Sequence, residues 1–284
     1  MAFVHLRAFV IACLLGAGVA AQSPSFEVAS IKRNTAGQNG GMLRILPGGR
    51  VTVTNFSVRQ LINFAWQLAG FQVIGGPQWT SDDGYDVVAK LEGEYTPVAP
   101  GTGQVDPLQF AIRNLLADRF KLKTHRETRE MDVYNLVLAR PGTHGPKLIQ
   151  SPMDCAAQAK AARGRSGPPP PPSRPPALGT PYCGIFGGPG RLRSGGLNAN
   201  MIAQSFEPMA GRMVVNRTGL EGSWDFELTY AQPQRGLGPD APAADPNAAD
   251  FFTAIQEQLG LKLESGKGPV EVMVIDGVER PSED

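Results

Sequence analysis

Chemically versatile side chains occupy every second position of one short segment of the chain, residues 121–129. They comprise two amines, an imidazole, a carboxylate and a guanidinium, so the group could bind an anion or shuttle a proton. In a β-strand, alternate side chains point to the same face of the sheet. The commoner explanation of such a row is a solvated face with cross-strand ion pairs, and we favour it. The five residues are Lys121, Lys123, His125, Glu127 and Arg129.

A second candidate is an aromatic residue followed by aspartate, which occurs as Tyr85-Asp86 and Trp224-Asp225, with Trp79 near the first pair. Aromatic faces beside a carboxylate are typical of ligand pockets, so these five residues are the candidate binding residues. In the alternative interpretation, the aromatic ring anchors the start of a strand and the aspartate accepts backbone hydrogen bonds. Repetition favours this structural role, because a single ligand site rarely needs two copies.

Motifs for nucleophilic catalysis and phosphate binding are missing from the sequence, which has no Gly-x-Ser-x-Gly elbow and no Gly-x4-Gly-Lys-Ser/Thr loop. Beyond the N-terminal segment the histidines are His125 and His144, without cysteines at zinc-binding spacing. Asp82, Asp83 and Asp86 could hold calcium, but their spacing does not match an EF-hand loop and is more typical of a turn. We therefore predict no catalytic residues, no metal and no cofactor.

The N-terminus predicts export from the cell. Residues 1–21 combine Arg7, an apolar run and small residues before position 22, which is the pattern of a signal peptide. The apolar run is shorter than the roughly 20 residues that span a membrane, so we expect no transmembrane segment in the mature chain. The chain has 27 basic and 26 acidic residues, a balance that argues against binding nucleic acid. We predict a secreted or periplasmic protein.

Two cysteines remain after the predicted cleavage, Cys155 and Cys183. An even number of cysteines in an oxidising compartment favours a disulfide, with a catalytic cysteine as the alternative. The bond would close a loop of about 29 residues and stabilise the fold by ~3 kcal/mol through the unfolded state.

The chain repeats itself at an offset of about 140 residues, with Gly49-Arg50-Val51 matched by Gly190-Arg191-Leu192 and the following helical pattern repeated. A duplicated supersecondary unit indicates two copies of one architecture. We predict an α+β fold of two related β-α-β-β-α-β-β lobes, with mostly antiparallel sheets and helices on one face. The predicted segments are a signal peptide at 1–21, a first lobe with an N-terminal strand at 22–140, a Pro-rich linker at 141–189 and a second lobe at 190–284.

Helix boundaries can be placed by their capping residues. Ser57 with Gln60 forms a capping box, and Asp106, Asn198 and Asp250 stand where the other helices should begin. Pro208 should end or kink its helix early, because it lacks an N–H and clashes with the preceding turn. Residues 265–268, Ser-Gly-Lys-Gly, read as a turn between two strands.

Several runs of the sequence resemble a large family of secreted soil-bacterial proteins of unknown function. They are FEVASIK (26–32), ADRFKLK (117–123), HRETRE (125–130) and QLGLK (258–262). Domains similar to this family are sometimes fused to membrane metallopeptidases of the antibiotic-sensor type, but this chain lacks their His-Glu-x-x-His motif and membrane helices. The resemblance implies no catalytic residues.

The expected function is a non-enzymatic binding or sensing module of the cell envelope, with an envelope protein or glycan as its partner. The neutral charge, the duplicated unit and the missing catalytic motifs support this expectation. Two alternatives stay open. The first is an extracytoplasmic hydrolase with a site built from loops, using His125 or Asp86, and the second is a structural spacer.

Overall fold

The computed structural model describes residues 24–36, 40–93, 95, 98, 105–155, 177–188, 190–231 and 248–282. The predicted signal peptide and the proline-rich centre of the predicted linker lie outside the described residues. The described part forms three four-stranded sheets and a few helices, and its strands pair mostly antiparallel. The predicted α+β class is therefore confirmed.

The strands are β1 (Phe26–Arg33), β2 (Met42–Leu46), β3 (Arg50–Ser57), β4 (Val73–Gly75), β5 (Gly84–Leu91), β6 (Lys123–Leu138), β7 (Leu148–Gln150), β8 (Gly184–Gly188), β9 (Arg191–Leu197), β10 (Val214–Asn216), β11 (Trp224–Thr229) and β12 (Leu261–Gly277). The helices are α1 (Val58–Trp66), α2 (Trp79–Asp82), α3 (Pro107–Arg119), α4 (Ala199–Ala210) and α5 (Phe251–Ala254). A 3₁₀ turn spans Gly70–Gln72, and a π-helical turn, Ile255–Leu259, continues α5.

The predicted caps start four of these helices. The Ser57 hydroxyl accepts the backbone N–H of Gln60, whose side chain accepts the backbone N–H of Ser57 in return. Asp106 caps α3 by the same kind of capping box, with Gln109, and Asn198 and Asp250 cap α4 and α5 through a side-chain oxygen alone. Each cap satisfies a donor that the first helical turn leaves unpaired, which is why these starts could be read from the sequence.

The first sheet has the strand order β1-β5-β3-β2 and is antiparallel throughout. Its inner face packs against α1 and α3 in one hydrophobic core. The core contains fully buried aliphatic and aromatic side chains, among them Ile31, Leu61, Ile62, Leu116 and Phe120.

The second sheet repeats this arrangement with the order β7-β11-β9-β8. Val87 and Phe226 each directly follow an aromatic-aspartate pair. Ile31 of β1 lies opposite Val87, and Leu148 of β7 lies opposite Phe226. Ile31 and Leu148 are both 0% exposed. Strand β7 is therefore the structural counterpart of β1.

Two strands lie near the ends of the predicted linker, residues 141–189. They are β7 and β8, and both pair into the second sheet. In sequence the proline run stands between them, and the predicted domain limits stay a prediction. A proline run cannot pair in a sheet, but it can connect two strands of one sheet, and the sequence pattern does not distinguish these placements.

We call β1–β6 with α1–α3 the first unit and β7–β12 with α4 and α5 the second unit. The third sheet joins the two units by exchanging strands, in the order β10-β6-β12-β4. Strands β6 and β12, one from each unit, pair antiparallel over nearly their whole length. Strand β4 of the first unit pairs parallel with β12, and β10 of the second unit pairs parallel with β6. Each unit thus receives its last strand from the other.

Equivalent positions meet at the centre of this sheet. Val73 lies opposite Met273, and its counterpart Val214 lies opposite Tyr134, so Met273 and Tyr134 are equivalent. Glu130 precedes Tyr134 by four residues, and Pro269 precedes Met273 by four residues. Glu130 and Pro269 lie directly opposite each other. This local two-fold relation supports the predicted duplication, which stays a prediction.

Two local expectations were wrong. Strands β6 and β12 each run without a break, so residues 265–268 are part of a strand and not a turn, because the long antiparallel pairing holds them extended. Helix α4 continues past Pro208 to Ala210 and ends at Gly211, whose φ is 66°. Pro208 lies in the last turn, so only Met209 and Ala210 of the helix follow it.

Candidate functional site

A cavity of about 430 Å³ opens where the two units meet, beside the point at which Glu130 faces Pro269. Both units line it. Strands β6 and β12 contribute one part, and the turns before β4 and β10 contribute Phe71 and Arg212, each two residues ahead of its strand. The lining residues are Phe71, Glu130, Met131, Asp132, Gly211, Arg212, Lys267 and Val270.

The apolar part of this junction cavity continues into a small hydrophobic cluster on the central sheet. Val270 is 1% exposed and belongs to a buried group with Val133 and Val272. Phe71 and Met131, both half-buried, pack against that group. A ligand in the cavity could therefore bury apolar surface, worth roughly 25 cal/mol per Å² removed from water.

The polar part carries two carboxylates and two cations. Glu130, Asp132 and Lys267 are exposed, and within the described residues none of them has an ion-pair partner. The guanidinium of Arg212 lies 5.1 Å from the ring centre of Tyr134, a cation–π contact that leaves its N–H groups available. The lining thus includes charged residues and apolar residues, and the strand register places Glu130, Asp132 and Lys267 on one face of the central sheet and Met131 and Val270 on the other.

The first predicted aromatic-aspartate pair divides between two faces of β5. The Asp86 carboxylate accepts the backbone N–H of Asn55 at 2.8 Å and the side-chain amide of Asn34 at 2.8 and 3.0 Å. Asn55 has a left-handed φ of 52°, where the pairing of β3 with β5 shifts. Tyr85 points to the core instead, against Phe120 at 5.2 Å. Neighbouring strand residues face opposite ways, so the pair does not converge on one site.

The second pair repeats this geometry. The buried Asp225 accepts the backbone N–H of Gly196 at 2.7 Å, and Gly196 has a φ of 66°. Trp224 is buried and its ring packs against His144 at 5.2 Å. In both units the aspartate holds a left-handed residue of the adjacent strand, which is the kind of contact that the structural interpretation predicts. The binding interpretation stays a prediction.

Trp79 contacts the segment that follows β12. The Arg280 guanidinium lies 4.9 Å from the centre of the Trp79 ring and donates to Asp83 at 3.0 and 3.1 Å. Arg33 donates to the other oxygen of Asp83 at 2.5 Å. Burial, and then the charge of Asp83, raises the pKa of the neighbouring Tyr85. Two guanidiniums therefore occupy Asp83, which anchors the C-terminal segment on the first unit.

The charged row separates into two groups. His125 Nδ1 lies 2.8 Å from Asp276, its Nε2 lies 3.6 Å from Glu127, and Glu127 also pairs with Arg129. The hydrogen bond to Asp276 raises the pKa of His125, and the hydrogen bond from Arg129 lowers the pKa of Glu127. His125, Arg129 and Asp276 are exposed and Glu127 is half-buried, in keeping with the ion-pair interpretation. Both imidazole nitrogens face carboxylates.

Of the two lysines of the row, Lys121 precedes β6 and Lys123 is its first residue. Lys121 has a left-handed φ of 49° and forms an ion pair with Asp118 at 3.9 Å. Lys121 and Lys123 border a second hollow, of about 310 Å³, together with residues 277–279.

The predicted disulfide is present: the sulfur atoms of Cys155 and Cys183 are 2.10 Å apart and their Cα atoms 5.5 Å apart. The Cys155 side chain lies against Gly196, and Tyr182 lies against Gly195. Burial raises the pKa of Tyr182 to about 12. The disulfide therefore holds the ends of the β7–β8 connection on the second sheet.

The residues of the junction cavity were not singled out by the sequence analysis. A usable signal exists, because Phe71 and Arg212 precede the two repeated short strands by the same distance. Within the described ranges, no group of three or more His, Cys, Asp or Glu side chains is arranged to hold a metal ion. In the same ranges, no helix has both the length and the apolar character needed to cross a membrane.

Comparisons with known proteins identify a family but no characterised relative. No curated protein and no solved structure matches the chain. A family model described as "Protein of unknown function (DUF3738)" matches residues 59–278, which include the junction cavity and both aromatic-aspartate pairs. The chain belongs to this family of uncharacterised proteins.

Proposed function

We propose that this protein is a non-enzymatic binding or sensing module of the cell envelope, and that its ligand occupies the junction cavity. The observation that supports this proposal is the set of residues that line the cavity. Its lining contains apolar residues and residues of both charges, and both units contribute to it. The proposed secretion or periplasmic location rests on the disulfide and on the N-terminal sequence.

The chemistry of the cavity suits a ligand with an apolar group flanked by polar groups of both signs. An envelope peptide or a glycan bearing an amine and a carboxylate has this character. Asp132 and Lys267 lie directly opposite each other in the β6–β12 pairing, so such a ligand could engage both at once. A charged hydrogen bond contributes about 1.5–3 kcal/mol when formed in a partly desolvated site.

The test compares three immobilised proteins incubated with envelope extract, with mass spectrometry of the retained proteins and glycans. They are the wild type, the cavity variant Arg212→Glu/Lys267→Glu and a control of equal charge change, Arg217→Glu/Lys262→Glu. The control positions are exposed and do not line the cavity. We expect a species retained by the wild type and the control and reduced tenfold or more on the cavity variant. Equal retention by all three proteins, or by none, contradicts the proposal.

The hydrolase alternative has its own readout. It requires turnover of an extract component that is lost in His125→Ala or Asp86→Asn. His125 is engaged with Asp276 and Glu127, and Asp86 with Asn34 and Asn55, so no observation favours this alternative. Turnover that both substitutions abolish would support it.

A further inference from the structure

The outer faces of the first and second sheets differ, although the sheets share one topology. In the second sheet, Tyr182 and Cys155 of the disulfide-bonded connection cover Gly195 and Gly196. Asp225 beneath them is 1% exposed. At the centre of that face Arg193 forms an ion pair with Glu227. The second sheet thus has a cover and a polar centre.

The first sheet presents apolar side chains on the same face. Val88 is the counterpart of Glu227 and is 54% exposed, and Thr52 opposite it is the counterpart of Arg193. Val28, Met42 and Leu46 share this face by register and are 68%, 51% and 39% exposed. We call this surface the bare face; its apolar members are Val28, Met42, Leu46 and Val88.

Basic residues surround these apolar side chains. Lys32, Arg44, Arg50 and Lys90 lie on the bare face by the strand register, and all four are exposed. Among the described residues, the acidic ones there are Glu27, which pairs with Lys90, Asp86, which already accepts three hydrogen bonds, and Glu92 directly after β5, which accepts the Ser25 hydroxyl. Four basic groups against three acidic groups leave a small excess of positive charge in this part of the structure. Two copies of this face would repel each other, so the complementary occupant is acidic.

The edge of the sheet indicates the shape of that occupant. Among the described residues, β2 pairs with β3 alone, so its other edge is open. Strand β2 contains no proline and a single charge, Arg44, and therefore lacks the features that usually block an edge. An extended peptide can add to such an edge through backbone hydrogen bonds, with its alternate side chains on the bare face.

We propose that the bare face and the β2 edge bind an extended acidic polypeptide segment of a partner protein, added beside β2 as a further strand. Every second residue of the segment would point to the bare face, and along those positions acidic residues would alternate with aliphatic ones, so that its carboxylates meet Arg44 and Arg50 while its aliphatic groups meet Met42 and Leu46. This surface is separate from the junction cavity, and failure of the proposal leaves the proposed ligand site of that cavity unaffected.

The test uses the purified disulfide-bonded chain and a fluorescein-labelled ten-residue peptide, with binding measured by anisotropy. Every second residue of the peptide is threonine, and the residues between them are alternately glutamate and valine, so that both types point to one face. The control peptide replaces glutamate by lysine. We expect saturable binding of the acidic peptide, no binding of the basic peptide, and slower hydrogen exchange at the amides of residues 42–46 on binding. Equal binding of both peptides, no saturable binding, or binding without protection of β2 would overturn the proposal.

Variants locate the peptide on the first sheet. Arg50→Glu should weaken binding tenfold or more, whereas Arg191→Glu, at the equivalent position of the second sheet, should leave it within twofold. The double change Thr52→Arg/Val88→Glu copies the Arg193–Glu227 pair onto the bare face and should also weaken binding while preserving the fold. Equal losses from Arg50→Glu and Arg191→Glu refute the location. Self-association of the free chain that Arg50→Glu abolishes would assign the face to a second copy instead.

Discussion

At the scale of single residues, the left-handed positions next to the two aspartates carry the most specific demands. Gly196 has a φ of 66°, and a Cβ atom built there would lie 2.1 Å from the Cys155 sulfur. Gly219 has a similar φ of 70°, but no atom lies within 4 Å of its Cβ position. Alanine substitutions at the two glycines therefore distinguish the cost of backbone strain from the cost of a steric clash.

Gly219→Ala should destabilise the protein by ~1–2 kcal/mol, the cost of a left-handed backbone for a residue with a Cβ atom. Gly196→Ala should cost at least ~2 kcal/mol more, because overpacking against the disulfide is added to that strain. Urea unfolding of both variants under oxidising conditions measures the difference. Equal midpoints would show that Cys155 does not press on Gly196.

The His125–Asp276 contact predicts a titration. Because the hydrogen bond favours the protonated imidazole, the pKa of His125 should lie above 6.5 in the folded protein. A raised histidine pKa contributes stability below the unfolded value, and that contribution is lost as the pH rises through the folded value. The NMR titration midpoint of His125 should fall in Asp276→Asn. An unchanged midpoint in that variant would remove Asp276 as the cause.

At the scale of secondary-structure elements, the exchanged strands couple the two hydrophobic cores. Leu136 of β6 is fully buried in the core of the second unit, and Met273 and Ile275 of β12 belong to the core of the first. A substitution in either strand should therefore loosen the unit in which its side chain is buried, rather than the unit that precedes it in sequence.

Leu136→Ala should cost ~2–5 kcal/mol, the usual range for truncating a buried leucine. Hydrogen exchange should accelerate mainly in β9 and β11 of the second sheet. Ile275→Ala, as the matched variant, should accelerate exchange mainly in β3 and β5 of the first sheet. Acceleration confined to the first sheet in Leu136→Ala would contradict the exchange of strands.

The elements themselves were predictable where local chemistry decides them. Ser57, Asp106, Asn198 and Asp250 cap helices because the donors they satisfy lie within a few residues. The single long β6 and β12 were not predictable, because their continuity depends on pairing across about 140 residues of sequence. The ion pair between Asp83 and Arg280 was not predictable either, because 197 residues of sequence separate them.

At the scale of the whole molecule, repetition in the sequence predicted two similar units but not how they combine. Each copy repeats its own burial pattern, and that pattern is the same whether a unit keeps its last strand or exchanges it. The proline run suggested a boundary between the units, whereas β7, which precedes it in sequence, pairs in the second sheet. The missing counterpart of β1 in the second copy was the available clue.

The exchange also explains why the junction cavity could not be foreseen. Phe71 and Arg212 lie about 140 residues apart, and only the parallel pairing of β4 with β12 and of β10 with β6 brings their turns to the same cavity. The candidate residues chosen by type, Tyr85 and Trp224, proved to be buried. Residue types therefore pointed to strand anchors, while the fold places the cavity at the junction.

The most direct test of the central claim is hydrogen exchange of the wild-type chain with and without the envelope fraction that it retains. Ligand binding in the junction cavity predicts slower exchange in both units at once, at residues 70–72 and 211–213, and along 130–132 and 267–270 of the central strands. The Arg212→Glu/Lys267→Glu variant should show no such protection. Protection confined to one unit, or centred on His125 and Asp276, would contradict a ligand site at the junction.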